Sequence, residues 1–359
     1  MTRESAREGA HTPEPAPSVV WDDGAIRVVD QRVLPAEYRL LRLETVGQVL
    51  DAITSLAVRG APAIGLAGAF GVALSAQHHL TDGRHNEEAV RRDASRLAGA
   101  RPTAVNLAWA VRRAAARIGE GPQAVLNEAR ALLDEDIAVN RAAVKRAADL
   151  VLSQTPEHPL RILTHCNTGR LATAAIGTAV GTITELHRRG LVAEVLVDET
   201  RPLLQGARLT AWELGEAAVP YRLCVDSAAA SAMALGMVDC VLVGADRVAA
   251  NGDVANKIGT YGLAVAAARH GIPFVVVASE STWDLSLADG TQIVVEERAP
   301  GEVTGFAGAE VAPAEAAVYN PAFDVTPGEL ITAIVSEARA FRPGAVPGTQ
   351  TRTTEGAPA

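Results

Sequence analysis

Aromatic side chains make up only 4% of the 359 residues, so alanine, valine, leucine and isoleucine must fill any interior. Hydrophobic residues still reach 48%, and such an aliphatic mix suits parallel sheets covered by closely packed helices. Cysteine is scarce too. Cys166, Cys224 and Cys240 are the whole complement, which gives no disulfide framework and fits a reducing cytoplasm. Basic charge is in deficit, with a net charge of −9, and this argues against a nucleic-acid backbone as the main partner. An anionic metabolite stays compatible with that charge if a few arginines or lysines converge locally. The N-terminal stretch MTRESAREGAHTPEPAPS lacks an apolar core region, so it does not read as a signal peptide. Its composition predicts a disordered tail over residues 1–17, and PGAVPGTQTRTTEGAPA predicts another over 343–359. There is no internal repeat, no heptad pattern and no Gly-x-Gly-x-x-Gly after any strand candidate, which removes the dinucleotide fingerprint. No histidine pair has metal-ligand spacing on a helix, which disfavours a metal enzyme.

One uncharged run, from Gly60 to His79, imitates a membrane span. Much of it is alanine and glycine, which contribute little transfer energy, and Gly65, Gly68 and Gly71 recur every third residue. A buried helix packed through a glycine ridge is the better reading, and no membrane association is expected.

Residues 19 to 45 alternate short apolar and polar runs, which predicts short strands and turns. From about 46 to 153 the spacing becomes helical, in TVGQVLDAITSLAV, Gly60–Gln77, RPTAVNLAWAVRRAAARI and AVLNEARALLDEDIAVNRAAVKRAADLVL. The last of these is long enough to bridge two domains. After Pro159, five β-rich runs (RILTHC, EVLVDET, YRLCVD, DCVLVGAD and PFVVVA) alternate with alanine-rich helical ones. That alternation predicts a doubly wound parallel sheet. The expected class is α/β, with a mostly helical N-terminal domain carrying a few short strands over 18–153. A Rossmann-like parallel-sheet domain over 154–342 follows it.

In open parallel sheets ligands bind at the carboxyl ends of the strands. Those ends collect Cys166 and Asn167, then Asp198, Glu199 and Thr200, then Asp226 and Ser227, then Asp246 and Arg247. Helix capping accounts comfortably for Asp226 and Ser227, but it does not account for a cysteine. A free cysteine is most often a small buried hydrophobe, and Cys240 and Cys224 fit that role. Cys166 differs, because Thr168 and Gly169 open a segment that reads as helical, and a helix start would stabilise a thiolate. His165 is a tempting base for it, yet successive strand residues face opposite ways, so the two side chains should diverge. VRGAPAIG sets Arg59 and the backbone of Gly60 and Ala61 before Pro62, an anion cradle unless it is a plain tight turn. Asn256 and Lys257 precede a further alanine-rich helix, and Arg101 stands before Pro102, where a solvated arginine is the plainer reading.

The blocks RGAPAIG, ARPTAVNLAWA, ILTHCNTG, VDETRPLLQGARLTAWEL, VGADRVAANGDVANKIGTYGLA, DLSLADGTQIVVEER and NPAFDVTP run in order from residue 59 to 327. Together they resemble the methylthioribose-1-phosphate isomerase family of methionine salvage. Its wider superfamily includes ribose-1,5-bisphosphate isomerases and regulatory subunits of a eukaryotic initiation-factor exchange factor. The resemblance implies a helical domain followed by a Rossmann-like one, a cytoplasmic homodimer, and conversion of an aldose 1-phosphate into a ketose 1-phosphate. By motif match it implies Asp246 as the acid and Cys166 as its catalytic partner. It likewise implies Arg59, Gly60, Ala61, Arg101, Gln205, Asn256 and Lys257 as substrate-binding residues. Neither metal nor nicotinamide is required by such a reaction. Two alternatives accompany this reading: isomerisation of another sugar 1-phosphate, such as 5-deoxyribose 1-phosphate, and a non-catalytic sugar-phosphate or nucleotide sensor. The regulatory relatives generally lack the Cys and Asp pairing, which favours the enzyme. Glu199 is the nearest alternative acid.

Overall fold

The computed structural model describes residues 16–101, 105–155 and 159–343. Apart from residues 16, 17 and 343, both expected tails lie outside the described residues, as does Pro102. Three short antiparallel strands open the fold: β1 (Val19–Asp22), β2 (Ala25–Val29) and β3 (Leu40–Leu43). Asp23 and Gly24 both take positive φ between β1 and β2, the backbone twist that two-residue hairpins favour.

Five helices follow: α1 (Val46–Thr54), α2 (Ala61–His78), α3 (Glu87–Ala98), α4 (Val105–Ala115) and α5 (Pro122–Gln154). Thr45 and Gln48 close a reciprocal capping box at the start of α1. Four of the five lie on the helical runs read from the sequence. The exception is α3, whose EEAVRRDASRLA buries only Ala89, Val90, Ala94 and Leu97, so its charges mask the apolar stripe.

α2 is buried on every side from Ala63 to Ala76 because α1, α3, α4 and α5 surround it. Its apolar character therefore reflects a central position in a helical layer. No helix among the described residues is long and apolar enough to cross a membrane. The glycine ridge is what lets α4 approach: a Cβ on Gly68 would stand 2.5 Å from Leu107 Cδ1 and 2.8 Å from Val111 Cγ2. Gly68→Val should consequently cost roughly 1–3 kcal/mol through overpacking, read as a lower urea midpoint at unchanged slope. An unchanged midpoint would mean that the ridge does not set the α2–α4 distance.

α5 belongs to two cores. Val125, Leu126, Ala129 and Leu132 join the helical core, whereas Ala143, Ala147, Ala148 and Val151 pack on the large sheet. That sheet and its partner are built from β4 (Leu160–Thr164), α6 (Ala179–Arg188), β5 (Val192–Asp198), α7 (Ala211–Glu216), β6 (Tyr221–Cys224), α8 (Ala229–Ala234) and β7 (Cys240–Val243). They continue through β8 (Arg247–Ala249), β9 (Val254–Lys257), α9 (Thr260–His270), β10 (Phe274–Val277), β11 (Trp283–Asp284), β12 (Phe323–Thr326), β13 (Ala333–Val335) and β14 (Ala340–Phe341). The large sheet runs β14-β13-β10-β7-β4-β5-β6, and all of it is parallel except β14. α5 and α6 cover one face and α8 and α9 the other, which is the doubly wound arrangement expected. A second, mostly antiparallel sheet, β11-β8-β9-β12, stands beyond the strand ends.

From β4 the chain adds β5 and β6 on one side, then crosses back to add β7, β10 and β13 on the other. The strand order therefore reverses between β4 and β7. A crevice opens at such a point, just beyond the carboxyl ends of the two strands.

Candidate active site

Cys166 follows β4 and Asp246 follows β7, so the switch point brings them to one cavity of about 180 Å³. Arg59, Gly60, Ala61 and Arg101 reach it from the helical layer. Gln205, Asn256 and Lys257 complete the nine residues expected from the sequence, and all nine line this cavity.

Cys166 sits in a left-handed conformation, with φ of +63°, a costly state for a residue bearing a Cβ. Its surroundings hold it there. The Cys166 N–H donates to Thr200 Oγ1 at 2.8 Å, and the Thr210 hydroxyl donates to the Cys166 carbonyl at 2.5 Å. Asp226 in turn accepts from the N–H groups of Thr200 and Arg201, at 2.7 Å each. Asp226 thus braces the turn under Cys166 and does not cap its own helix, contrary to expectation. Asp198, Glu199 and Thr200 do not line the cavity either; at this strand end the chemistry is support.

The helix expected directly after Cys166 is absent. Residues 167–178 turn irregularly, and α6 begins only at Ala179. Tertiary partners replace the helical ladder there. Glu213 accepts from the N–H groups of Arg170 and Leu171, Gln31 Nε2 donates to the Leu171 carbonyl, and Ala63 N–H to that of Ala172. The thiol therefore has no helix start in its own following segment. Cationic side chains face it instead: Arg59 Nη2 lies 3.9 Å from Cys166 Sγ, and Lys257 is close enough for the two to interact electrostatically.

His165 diverges from Cys166 as strand alternation predicts, and its ring turns away from the cavity toward Asp198 and Ile258. Cys240 is fully buried, and burial pushes its thiol up. Cys224, half-buried, places its sulfur 3.3 Å from Asp198 Oδ1, and burial with that carboxylate pushes it to about 12. Both are poor nucleophiles.

Gly60 begins α2 with φ of +92°, and a Cβ there would collide with the backbone of Ala172. Only glycine lets the helix start this close to the segment after Cys166. Pro62 occupies the second helical position, one later than expected. At the opposite wall, Lys257 Nζ donates to the Ala322 carbonyl at 2.7 Å and stands over the Phe323 ring. Asn256 Nδ2 donates to Thr260 Oγ1 at 2.9 Å.

Asp246 is accessible where it opens into the cavity, although protein atoms surround it. Desolvation pushes its carboxyl above the ordinary range, although Lys257, Arg59, Arg101 and Arg247 pull the other way. Arg247 faces Asp284 at 3.8 Å, so no ion pair with it neutralises Asp246. Burial likewise pushes Lys257 and Arg101 below their usual values. Arg59 Nη1, Asn167 Oδ1, Thr168 Oγ1 and Gln205 Oε1 are buried and have no hydrogen-bond partner among the described residues. All four belong to cavity-lining residues. Buried polar atoms are rarely left so, and a donor-and-acceptor-rich anion such as a sugar phosphate would satisfy them.

Thr168, Asn140, Glu296 and Arg298 also line the cavity without having been expected there. Asn140 carried a signal as a polar residue on the buried side of α5, and Thr168, Glu296 and Arg298 lie within the blocks ILTHCNTG and DLSLADGTQIVVEER. Arg208, whose guanidinium donates to the Gln31, Arg32 and Leu34 carbonyls, fixes the strand-rich N-terminus to the turn after Gln205.

Comparison with known proteins adds to this geometry. Residues 57–343 match the initiation factor 2 subunit family. The chain is 64% identical, over 89% of its length, to a probable bifunctional methylthioribose-1-phosphate isomerase/methylthioribulose-1-phosphate dehydratase of Nocardia farcinica, and spans 58% of that protein. It is 48% identical to a 5-deoxyribose 1-phosphate isomerase of Moorella thermoacetica, covering 92% of this chain and 95% of that one. A crystal structure of 5-methylthioribose 1-phosphate isomerase from Pyrococcus horikoshii is similar with a TM-score of 0.84 at 40% identity, covering 92% and 93%.

Proposed function

Since the chain belongs to the initiation factor 2 subunit family, we propose that it is an aldose–ketose isomerase converting 5-methylthioribose 1-phosphate into 5-methylthioribulose 1-phosphate in methionine salvage. The observation that carries this reading is a carboxyl, Asp246, sharing a cavity with Cys166 and with the cations Arg59, Arg101 and Lys257. We further infer that it works as a cytoplasmic homodimer, in keeping with its three unpaired cysteines and its family.

Phosphate on the anomeric oxygen prevents the sugar from opening as a free hemiacetal does. An acid must protonate the ring oxygen while its bond to C1 breaks. Asp246, whose carboxyl desolvation pushes above the ordinary range, is the group suited to that task. Hydrogen then moves from C2 to C1, as hydride or through an enediol in which Cys166 relays the proton, and the 2-hydroxyl becomes the ketone as its own proton returns to the Asp246 carboxylate. Arg59, Lys257 and the start of α2 at Gly60 and Ala61 hold the phosphate. Arg101, Gln205 and Asn256 contact the remainder of the substrate.

The Moorella relative favours a second reading, 5-deoxyribose 1-phosphate as substrate. Turnover of the methylthioribose, 5-deoxyribose and ribose 1-phosphates by the purified protein decides between them. Failure to isomerise any of the three would overturn the enzyme reading.

The anion site makes its own prediction. Arg59→Ala and Lys257→Ala each delete a charge-assisted contact, worth roughly 1.5–3 kcal/mol. Affinity for inorganic phosphate and for substrate should fall by about one to two orders of magnitude, as calorimetry would read. Unchanged affinity in both variants would place the phosphate elsewhere.

A further inference from the structure

His165 takes no part in the chemistry above, yet it is one of the most constrained side chains beside the cavity. It is 1% exposed, with Nδ1 at 2.9 Å from Asp198 Oδ2 and Nε2 at 2.8 Å from the Ile258 carbonyl oxygen. A carbonyl oxygen only accepts, so Nε2 carries a proton. The remaining proton lies between Nδ1 and Asp198. Burial pushes the Asp198 carboxyl up, while the hydrogen bond and charge of His165 and the Cys224 thiol pull the other way. Asp198 Oδ1 accepts from the Cys224 thiol, and Oδ2 faces Nδ1, so both carboxyl oxygens are engaged. Neither oxygen needs a proton to make its contact, an arrangement that suits an ionised carboxylate facing a doubly protonated ring.

Every ionisable group facing the ring favours that assignment. Asp198 and Asp226 approach from the ends of β5 and β6, and Asp324 from β12; all three are carboxyls, with Cys224 behind Asp198. Burial tends to strip the proton from the ring. The hydrogen bonds to Asp198 and Ile258, and the charges of Asp198 and Asp226, outweigh it and raise the ring above its ordinary value. His165, Asp198 and Asp226 also bring ligand-type atoms within 4.8 Å of one another. Those atoms are already committed, since both ring nitrogens and both Asp226 oxygens have hydrogen-bond partners.

We infer that His165 is a charged imidazolium and a positioning residue, clipping the turn that follows Asn256 and Lys257 on β9 to the strand end that carries Cys166. The clip acts through the Ile258 carbonyl. The flanking groups of that turn are tied to β12 and the residue before it: Ile258 N–H and Lys257 Nζ donate to the Ala322 carbonyl, and Gly259 N–H donates to Asp324 Oδ2 at 2.8 Å. Gly259 has φ of +106°, and a Cβ there would stand 2.9 Å from His165 Cε1, so the ring also packs against the turn. Without the ring, the Ile258 carbonyl loses its partner, and the wall bearing Lys257 loses the hydrogen bond that ties Ile258 to the end of β4. The role in binding rests on the assignment of Asn256 and Lys257 to substrate; the charge state does not.

Nitrogen-15 NMR of histidine-labelled protein tests the charge directly, with His165 identified among eight histidines by its absence in His165→Gln. Both ring nitrogens should remain protonated from about pH 6 to about pH 9, across the ordinary imidazole value of ~6.5. A His165 signal that titrates in that window, or one unprotonated nitrogen at neutral pH, overturns the inference whatever the enzyme's substrate. Asp198→Asn keeps the shape and removes the counter-charge, so its ring should become singly protonated at neutral pH; an unaltered double protonation also overturns it. For positioning, His165→Gln should raise KM for 5-methylthioribose 1-phosphate about tenfold, with kcat within about threefold, as loss of a charge-assisted hydrogen bond implies. Inorganic-phosphate affinity should drop in parallel, and it remains readable if that sugar phosphate is not turned over. Unchanged phosphate affinity in the folded variant, or a kcat loss at constant KM, refutes the positioning role.

Discussion

Asp246→Asn should lower turnover by ~10²–10⁴-fold, the usual contribution of general acid catalysis, while KM changes little. The amide keeps the shape of the side chain and removes the one proton it can deliver. The pH behaviour follows from the direction of the shift. Desolvation by the protein around the cavity lifts the Asp246 carboxyl above its unfolded value despite four nearby cations, so the folded protein holds the proton over a wider range than an ordinary aspartate. Wild-type activity should therefore persist as pH rises past the ordinary carboxylate range and decline as pH passes the raised folded value. The Asn variant should lack that alkaline limb. Stability has the opposite sign. A raised carboxyl means that the native state binds more protons than the unfolded one, so stability falls as pH climbs from the unfolded to the folded value, and the full cost persists above it. Asp246→Asn removes that cost and should melt at a higher temperature than wild type at neutral pH. Lost activity together with gained stability is a pattern that a merely damaged site does not produce. A variant within a few-fold of wild type that retains the alkaline limb would exclude Asp246 as the acid. Glu296, the other carboxyl lining the cavity, would then be the candidate; Glu199, the alternative suggested by strand-end position, does not line it.

What the sequence made legible was periodic. Five β-rich runs fall on strands, and the strand-end rule gathered Cys166 and Asp246 before any contact was known. Local pattern failed where tertiary partners decide the backbone. Residues 167–178 look helical by composition, but the buried Glu213 carboxylate takes the N–H groups of Arg170 and Leu171, and that chain path turns instead. Asp198, Thr200 and Asp226 stand at strand ends just as ligand-binding groups would, yet they direct their hydrogen bonds to His165, Cys166 and one another's backbone. Sequence position locates a polar group; only the fold says whether it faces the cavity or braces what does. The arm bearing Glu296 and Arg298 lies in the family block DLSLADGTQIVVEER, yet neither residue stands at a strand end or helix start, so neither was singled out for the site.

Cys166→Ala should lose activity by a comparable factor, ~10²-fold or more, while melting close to wild type. The two halves of that statement have different causes. Activity depends on a sulfur 3.9 Å from the Arg59 guanidinium and within the same cavity as Asp246, where it is placed to relay the proton that the enediol route moves. Stability depends mostly on the backbone, and alanine retains both the left-handed φ of +63° and the backbone hydrogen bonds with Thr200 and Thr210 that enforce it. Cys166→Gly separates the two further. It relieves a strain of about 1–3 kcal/mol, offset in part by the greater freedom of an unfolded glycine, so it should be at least as stable as the alanine variant and equally inactive. The other cysteines are the internal control. Cys240→Ala removes a fully buried sulfur from the sheet core, and should lower the melting temperature while the folded fraction turns over normally. Cys224→Ala should act likewise through packing and the lost thiol contact to Asp198. Turnover per folded molecule, measured beside thermal melting for all four variants, checks the set. Near-normal activity in a well-folded Cys166→Ala protein would remove the thiol from the mechanism and leave its strained backbone as a device for aiming Asn167 and Thr168 into the cavity.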